Sequence, residues 1–332
     1  MRIKNKISVI GGGSWATAIV KMLSNSQENI GWWIRDQELI DHILEHGNNA
    51  RYLPAVQFDK SKLNLSSSIT EVINDAELVI LAVPSAFIKD ALLPCSVDTL
   101  QNKIVFSAIK GIVPDENVIV GEFLHAKYNL PLENIGVITG PCHAEEVALE
   151  KLSYLTLACQ NMSNAELLAE ELRCRYIKAC VSDDIYGTEY SAVLKNVFAI
   201  ASGICHGLGY GDNFQAVLIS NAIKEIKHFL NEVHPISRDI KSSAYLGDLL
   251  VTAYSQFSRN RTFGNMIGKG YSVKSAQFEM NMIAEGYYAV KCINEILKSH
   301  KIEMPITNAV YNVLYEQITP RIEMKILADN LS

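Results

Sequence analysis

The sequence predicts two domains, an α/β domain over residues 1–185 and an all-α domain over residues 186–332. In the first half, short apolar runs alternate with stretches of helical periodicity, which is typical of α/β domains. Beyond Ser182-Asp183-Asp184, long helical patterns continue and strand candidates almost disappear. The length of 332 residues also fits about two domains, each with its own core.

The strand candidates of the first domain are continuous apolar runs, a pattern that favours parallel strands buried on both faces. They are residues 7–10, 30–34, 78–83, 103–108, 135–139 and 154–158. The segments between them carry helical periodicity, for example residues 15–23 and 39–44. We therefore expect a parallel sheet that is covered by helices on both faces.

The second domain is predicted to consist of long helices. The patterns run over residues 186–205, 213–233 and 284–299, and a last helix lies near the C-terminus. In the first of them, Val193, Val197, Ile200, Ala201 and Ile204 recur at helical spacing. This spacing predicts that one face of the helix is buried.

The composition excludes several functional classes. The net charge of -6 gives no electrostatic basis for binding nucleic acid or an anionic membrane. No apolar run reaches the roughly 20 residues of a membrane helix, and the N-terminus lacks a signal-peptide core. The seven cysteines include no Cys-x-x-Cys pair, and the eight histidines show no metal-ligand spacing. We expect a cytoplasmic protein with reduced thiols and without a metal site.

A glycine-rich motif follows the first strand candidate. Gly11 permits a tight turn, and Gly13 lets the backbone approach a pyrophosphate at the start of the next helix, which begins near Ser14 and Trp15. Ala16 is the third small residue and still allows close packing of helix and sheet. The position of the motif between a strand and a helix predicts dinucleotide binding by a Rossmann-type domain.

The second strand candidate ends in Arg35-Asp36, about 20 residues after the glycines, where the ribose is normally bound. An arginine at this place suits the 2′-phosphate of NADP, whereas a carboxylate suits the free 2′-hydroxyl of NAD. We favour NADP slightly and expect NAD to be usable. A solvated surface pair without a role in cofactor choice is the alternative.

Lys110 follows another strand candidate. Ligands of open α/β sheets bind outside the carboxyl ends of strands, so this cation is placed for a phosphate or a carbonyl group. A lone lysine after a strand is also often simply exposed.

Seven separated motifs together resemble the NAD(P)-dependent glycerol-3-phosphate dehydrogenases of the bacterial type. The motifs are Gly-x-Gly-x-Trp at 11–15, Val-Pro-Ser at 83–85, Lys-Gly at 110–111, Gly-Pro-Cys-His-Ala-Glu-Glu at 140–146, Leu-Lys-Asn at 194–196, Gly-Asp-Leu at 247–249 with Ser-Arg-Asn-Arg at 258–261, and Glu-Gly at 285–286. They extend over nearly the whole chain, and their order is more specific than any one of them.

The resemblance implies an enzyme that interconverts dihydroxyacetone phosphate and sn-glycerol 3-phosphate with NAD(P)H and supplies glycerophospholipid synthesis. Reduction of the ketone places negative charge on its oxygen, so a proton donor is needed. Lys195 is the expected catalytic acid and base, because the apolar residues of its helix would desolvate the amine and lower its pKa. We also expect a homodimer.

The remaining site residues are carried over from the family motifs. Asp248 would pair with Lys195 and orient it or cap a helix, Thr252 would support this carboxylate, and Arg259 can bind phosphate in a bidentate manner. The expected substrate-binding residues are Lys110, Gly140, Cys142, Asn196, Asp248, Thr252, Ser258, Arg259 and Asn260. The expected cofactor-binding residues are Gly11, Gly13, Ser14, Trp15, Arg35, Lys110, Ala144, Arg259, Ile283 and Glu285.

Two other functions remain open at this point. A related β-hydroxyacid dehydrogenase would bind a carboxylate in place of the phosphate, which the Ser-Arg-Asn-Arg motif disfavours. A non-catalytic dinucleotide sensor would keep the glycine motif but would not need Lys195, Asn196 and Asp248 together. Cys142 also departs from the serine or asparagine of many relatives, so we expect a contact from its backbone only.

Overall fold

The computed structural model describes residues 6–280 and 284–331, which form two compact units. The first comprises the described residues up to Ile109 together with Val120–Ile185. The second comprises Lys110–Ile119 and the described residues from Tyr186 onward. The short segment Lys110–Ile119 thus belongs to the helical unit, whereas the sequence analysis assigned it to the first domain.

Within the described residues the chain forms ten strands and sixteen α-helices. The strands are β1 (Ile7–Ile10), β2 (Ile30–Trp33), β3 (Leu63–Ser66), β4 (Leu78–Leu81), β5 (Ile104–Ser107), β6 (Ile112–Val113), β7 (Val118–Ile119), β8 (Ile135–Thr139), β9 (Ser153–Cys159) and β10 (Ile177–Ser182). The helices of the first unit are α1 (Ser14–Leu23), α2 (Gln37–His46), α3 (Ile69–Asn74), α4 (Ile88–Leu92), α5 (Val97–Leu100), α6 (Val120–Tyr128), α7 (Ala144–Ala148) and α8 (Met162–Leu172). Those of the second unit are α9 (Ile185–Gly207), α10 (Asp212–Val233), α11 (Asp248–Tyr254), α12 (Arg259–Gly268), α13 (Val273–Glu279), α14 (Glu285–His300), α15 (Pro305–Leu314) and α16 (Pro320–Asn330).

The first unit is built on an eight-stranded sheet with the order β10-β9-β8-β5-β4-β1-β2-β3. Six neighbouring strands of this sheet, in the order β3-β2-β1-β4-β5-β8, are parallel. This is the strand order of a doubly wound dinucleotide-binding domain. The central strands β1 and β4 are buried along their whole length, as expected for a sheet covered on both faces. The predicted Rossmann-type domain is confirmed.

The expectation of an entirely parallel sheet is wrong at one position, because β9 runs antiparallel to β8. The connection between them contains only the five-residue helix α7. Such a helix is about 7.5 Å long, which is less than the roughly 17 Å of a five-residue strand. The chain therefore does not return to the start of β8, and β9 begins at the end where β8 finishes.

The second unit is mostly helical, and its core surrounds the long helix α9. The five residues of the predicted apolar face of α9 are all buried there. The three helices predicted with bounds are present as α9, α10 and α14, each within two residues of the expected ends, and α16 is a helix near the C-terminus. The unit also contains the small antiparallel hairpin β6–β7, whose Ile112 and Ile119 are part of the helical core.

Candidate active site

The glycine turn after β1 has the shape that a dinucleotide requires. Gly11 has a φ of +137°, and a Cβ atom there would lie 2.5 Å from the carbonyl oxygen of Ala82. The indole N–H of Trp32 fixes the turn by donating to the carbonyl oxygen of Gly11 at 2.7 Å. At Gly13, the N-cap of α1, a Cβ atom would meet nothing within 4 Å. This open space at a helix N-terminus fits a pyrophosphate.

The residues that follow the turn lie where the sequence placed them. Ser14 and Trp15 form the first turn of α1, and Ala16 is fully buried. The loop after β8 belongs to the same unit. Ala144 begins α7, which packs against α1.

Gly140 and Cys142 lie in this loop after β8. Gly140 has a φ of +112°, and a Cβ atom there would lie 2.7 Å from the carbonyl oxygen of Tyr154. The side chain of Cys142 is buried. The loop is therefore tightly packed on β9, and only a glycine fits at its first position.

The two residues at the end of β2 have different tasks in the structure. The side chain of Arg35 is exposed. Asp36 is the N-cap of α2, and its Oδ1 accepts the backbone N–H groups of Glu38 (3.0 Å) and Leu39 (3.4 Å). Because Asp36 begins a helix, its carboxylate is a structural group as well as a candidate for ribose recognition.

In the helical unit, Lys195 is buried and pairs with a buried carboxylate. Its ammonium group donates a short hydrogen bond to Oδ1 of Asp248. The side chain of Lys195 is 5% exposed and that of Asp248 is 2% exposed. The expected ion pair is therefore present, in surroundings that exclude most water.

A second lysine approaches the same carboxylate. Nζ of Lys110 lies 3.7 Å from Oδ2 of Asp248, and its side chain is 20% exposed. Nδ2 of Asn196, next to the catalytic candidate, donates to the carbonyl oxygen of Lys110 at 2.8 Å. Asn196 thus holds the backbone of Lys110 in place, which is a role that the sequence did not predict.

The surroundings lower the pKa of Lys195 to about 7. Burial is the largest cause, because it disfavours the charged ammonium form, and the second positive charge of Lys110 acts in the same direction. The carboxylate of Asp248 opposes both effects. An amine that titrates near neutral pH can donate a proton in one direction of a reaction and accept it in the other.

Asp248 is presented by an unusual turn. A π-helical segment, Ser243–Gly247, leads directly into α11, and Asp248 is the first residue of that helix. Insertions of this type occur often at functional sites. The hydroxyl of Thr252 donates to the main-chain carbonyl oxygen of Asp248 at 2.7 Å. Thr252 therefore supports Asp248 through its backbone, where the resemblance implied support of the carboxylate.

The predicted phosphate-binding residues lie at the start of α12, a ten-residue helix. Oγ of Ser258, the N-cap, accepts the backbone N–H of Arg261 at 3.3 Å, and its own proton can still be donated. Arg259 is the first helical residue and is partly exposed. A helix N-terminus with an arginine is a suitable place for an anion.

Asn260 connects this helix to the start of α14. Its Oδ1 accepts the backbone N–H of Gly286 at 2.9 Å. This hydrogen bond fixes the orientation of the amide, so Nδ2 points away from Gly286 and is the group that can donate to a ligand. Gly286 also packs closely on α9, since a Cβ atom there would lie 2.6 Å from the carbonyl oxygen of Asn196. Glu285 is the first residue of α14. Ile283, another expected cofactor-binding residue, lies outside the described residues.

Two pairs of glycines bring α9 and α12 into backbone contact. A Cβ atom on Gly203 would lie 2.1 Å from the carbonyl oxygen of Arg261, and one on Gly264 would lie 2.1 Å from that of Ile200. Gly207 and Gly268 form similar close contacts one turn further on. This crossing sets the distance between the helix of Lys195 and the helix of the phosphate-binding residues.

Comparison with known proteins identifies the family of this chain. The model of the NAD-dependent glycerol-3-phosphate dehydrogenase N-terminus matches residues 6–165, and the model of the C-terminus matches residues 184–325. Glycerol-3-phosphate dehydrogenase [NAD(P)+] of Staphylococcus carnosus is 32% identical over 97% of both chains. The chain belongs to the NAD-dependent glycerol-3-phosphate dehydrogenase family.

Other members of the family match over similar lengths. Glycerol-3-phosphate dehydrogenase [NAD(P)+] of an Exiguobacterium species is 34% identical, with 96% of this chain and 94% of that one covered. The crystal structure of glycerol-3-phosphate dehydrogenase from Coxiella burnetii has a TM-score of 0.91 at 28% identity, with 98% of each chain covered. Membership in this family of oxidoreductases favours the main hypothesis over the β-hydroxyacid dehydrogenase and the non-catalytic sensor.

No helix in the part of the chain that the structure describes combines the length and the apolar character needed to cross a membrane.

Proposed function

We propose that this chain interconverts dihydroxyacetone phosphate and sn-glycerol 3-phosphate by hydride transfer with NAD(P)H, with a preference for NADPH. The observation that carries the proposal is the buried Lys195, which pairs with Asp248 beside a second lysine and has a pKa of about 7. Membership in the family supports the choice of substrate.

Bound NAD(P)H supplies the hydride that reduces the carbonyl carbon. The ammonium form of Lys195 then donates a proton to the oxygen on which negative charge develops. Asp248 holds the ammonium group in place, and Lys110 adds a positive charge near this oxygen. In the reverse direction the neutral amine of Lys195 accepts the proton of the secondary alcohol.

The substrate phosphate is assigned to the start of α12. Arg259 supplies the guanidinium group, Ser258 supplies a hydroxyl, and the helix N-terminus supplies backbone N–H groups. Asn260 contributes through Nδ2, because its Oδ1 already accepts the N–H of Gly286. The backbone at Gly140 and Cys142 is proposed to contribute as the resemblance implies.

The cofactor is assigned to the glycine turn and the residues that follow it. The open space at Gly13 and the N-terminus of α1 fit its pyrophosphate, with Ser14 and Trp15 in the first turn. Arg35 would bind the 2′-phosphate of NADPH. Ala144, Glu285, Lys110 and Arg259 remain cofactor contacts by resemblance.

The reaction is tested by following the absorbance of NADPH and of NADH with dihydroxyacetone phosphate and, separately, with a small β-keto acid. We expect oxidation with the phosphate ester only, and a higher kcat/KM with NADPH than with NADH. Turnover of the keto acid without turnover of the phosphate ester would refute the proposed substrate.

The assembly and the physiological role are also proposals. We propose a cytoplasmic homodimer whose product supplies glycerophospholipid synthesis, as in the family that the chain resembles. The molar mass in solution, measured by light scattering, tests the dimer, and a monomer mass would refute it.

A further inference from the structure

The segment after α2 is fastened to the glycine turn by one buried side chain, that of Asn49. Nδ2 of Asn49 donates to the carbonyl oxygen of Gly12 (3.1 Å) and to Oγ1 of Thr17 (2.9 Å). Its Oδ1 accepts the backbone N–H groups of Arg51 and Tyr52, both at 3.1 Å. Every hydrogen-bonding position of the amide is used, so the backbone of Arg51 is fixed relative to the cofactor-binding turn.

From this fixed position, the side chain of Arg51 reaches the end of β2. Nη1 of Arg51 forms a short hydrogen bond and ion pair with Oδ2 of Asp36, and Nη2 lies 3.9 Å from Oε2 of Glu38. The other oxygen of Asp36 accepts the two N–H groups at the start of α2. The hydrogen bond from Arg51 is the main reason why the pKa of Asp36 is lowered.

This arrangement changes the meaning of Asp36 for cofactor choice. A free carboxylate at the end of the second strand binds the ribose 2′-hydroxyl of NAD and repels the 2′-phosphate of NADP. Here both oxygens of Asp36 have partners, and a guanidinium group lies against its charge. The side chain of Arg51 is 53% exposed and can also donate to a ligand.

Arg35 provides the second positive charge at this place. It precedes Asp36 in the chain, is exposed, and has no hydrogen-bond or ion-pair partner within residues 6–280 and 284–331. The end of β2 thus carries two arginines, one ion-paired with the Asp36 carboxylate and one next to Asp36 in the chain. Such a pair is chemically suited to a dianionic phosphate on the adenosine ribose.

We propose that Arg51 is a second determinant of NADP selectivity, which contacts the 2′-phosphate and shields it from the charge of Asp36. This inference rests on the proposed preference for NADPH. Arg51 is not one of the residues that the family motifs assign to the cofactor. It lies in the loop after α2, and Asn49 holds its backbone beside the glycine turn.

The test is a calorimetric titration of the Arg51→Gln variant with NADP+, NAD+, adenosine 2′,5′-bisphosphate and adenosine 5′-monophosphate. Loss of a charge-assisted contact should weaken the two 2′-phosphorylated ligands by about tenfold. The affinities for NAD+ and the monophosphate should change by less than about threefold. The matched control is Arg175→Gln, since Arg175 forms another surface ion pair in the same unit, with Glu150, and should leave all four affinities unchanged.

A second variant separates the two effects of Arg51. Asn is as good an N-cap as Asp, so Asp36→Asn removes the charge and keeps the start of α2. Added to Arg51→Gln, it should recover part of the lost NADP+ affinity. Full recovery would overturn the direct contact with the 2′-phosphate, and no recovery would overturn the shielding.

The outcomes also separate this inference from the function on which it rests. Equal weakening of all four ligands in Arg51→Gln would mean that Arg51 only stabilises its loop, and the inference would fail alone. Equal affinity of the unmodified protein for NADP+ and NAD+ would refute the preference and the inference together. Failure to reduce dihydroxyacetone phosphate would refute the reaction, while the titrations would still measure the role of Arg51.

Discussion

Two buried carboxylates of the helical unit, Asp248 and Glu225, are stabilised in different ways. Glu225 on α10 accepts three hydrogen bonds from the start of α15, from the N–H of Ile306 (2.6 Å) and from the N–H (3.3 Å) and hydroxyl (3.1 Å) of Thr307. Asp248 accepts from the ammonium group of Lys195 and lies close to that of Lys110. One carboxylate thus caps a helix, whereas the other lies between two cations.

The difference shows what distinguishes a reactive buried charge from a structural one. Burial raises the pKa of Glu225 to about 7. Its three hydrogen-bond donors act in the opposite direction, and all three are uncharged groups. In the other cluster, burial lowers the pKa of the Lys195 ammonium group to about 7, and the positive charge of Lys110 beside the shared carboxylate acts in the same direction. Burial alone therefore does not identify the site. The feature that identifies the site is a second cation, the partly exposed Lys110, beside the buried ion pair.

Removal of the reactive amine should have the largest effect. Lys195→Arg keeps a cation beside Asp248 but cannot release its proton near neutral pH, because the pKa of arginine is above about 12. We expect kcat to fall by about 10³-fold, while NADP+ affinity measured by calorimetry stays within about threefold. Lys298→Ala, an exposed lysine of α14 in the same unit, is the control with unchanged kcat. A kcat of Lys195→Arg within about tenfold of the unmodified enzyme would assign the proton transfer to another group.

Removal of the capping carboxylate should change stability and leave catalysis intact. Glu225→Ala leaves the buried N–H groups of Ile306 and Thr307 without an acceptor, so the free energy of unfolding should fall by about 2–4 kcal/mol. Urea unfolding measures this loss, and kcat per folded molecule should not change. The exposed Glu232 on the same helix is the control, because its replacement by alanine should cost less than about 0.5 kcal/mol. A large loss of kcat in Glu225→Ala would contradict the separation of the two clusters.

The pH dependence of turnover tests the reactive cluster directly. Reduction needs the ammonium form of Lys195, so kcat for dihydroxyacetone phosphate should fall as the pH rises through about 7, by about tenfold per pH unit above this pKa. Oxidation of glycerol 3-phosphate needs the neutral amine and should increase over the same range. Steady-state rates in both directions measure the two profiles, and parallel profiles would show that Lys195 does not exchange the proton.

The central part of the fold could be predicted from the sequence because its patterns are local. The strands β1, β4 and β8 are continuous apolar runs, and all are buried throughout. The edge strands β3 and β10 were missed, because a strand with one exposed face has no such run. The π-helical turn before Asp248 was missed as well, since no local pattern distinguishes it from an ordinary helix.

The site shows the same limit. Lys195, Asp248 and Arg259, and the pairing of Lys195 with Asp248, were found from motifs, whereas other tertiary contacts were not. Glu225 meets Ile306 across 81 residues, and Arg51 meets Asp36 across 15 residues. Neither separation follows a helix or strand period, so side-chain chemistry alone could not pair these groups. The sequence showed only the neighbouring Arg35 and Asp36. In the structure Arg51, 15 residues further along the chain, forms an ion pair with the carboxylate of Asp36.

The smallest predicted effect concerns the pH dependence of stability at Glu225. Its pKa is raised from 4.5 to about 7 in the folded protein. The folded state therefore binds more protons, and the stabilisation that this proton provides is complete below the unfolded pKa and is lost as the pH rises through about 7. Since glutamine does not titrate, the unfolding free energy of the unmodified protein should fall relative to that of Glu225→Gln by about 1 kcal/mol between roughly pH 6 and pH 8. Urea unfolding of both proteins at each pH measures this difference, because all other titrating groups cancel in the subtraction. A difference that does not change with pH would show that the three donors from α15 keep Glu225 ionised throughout, and the contrast with Asp248 would then rest on the two lysines alone.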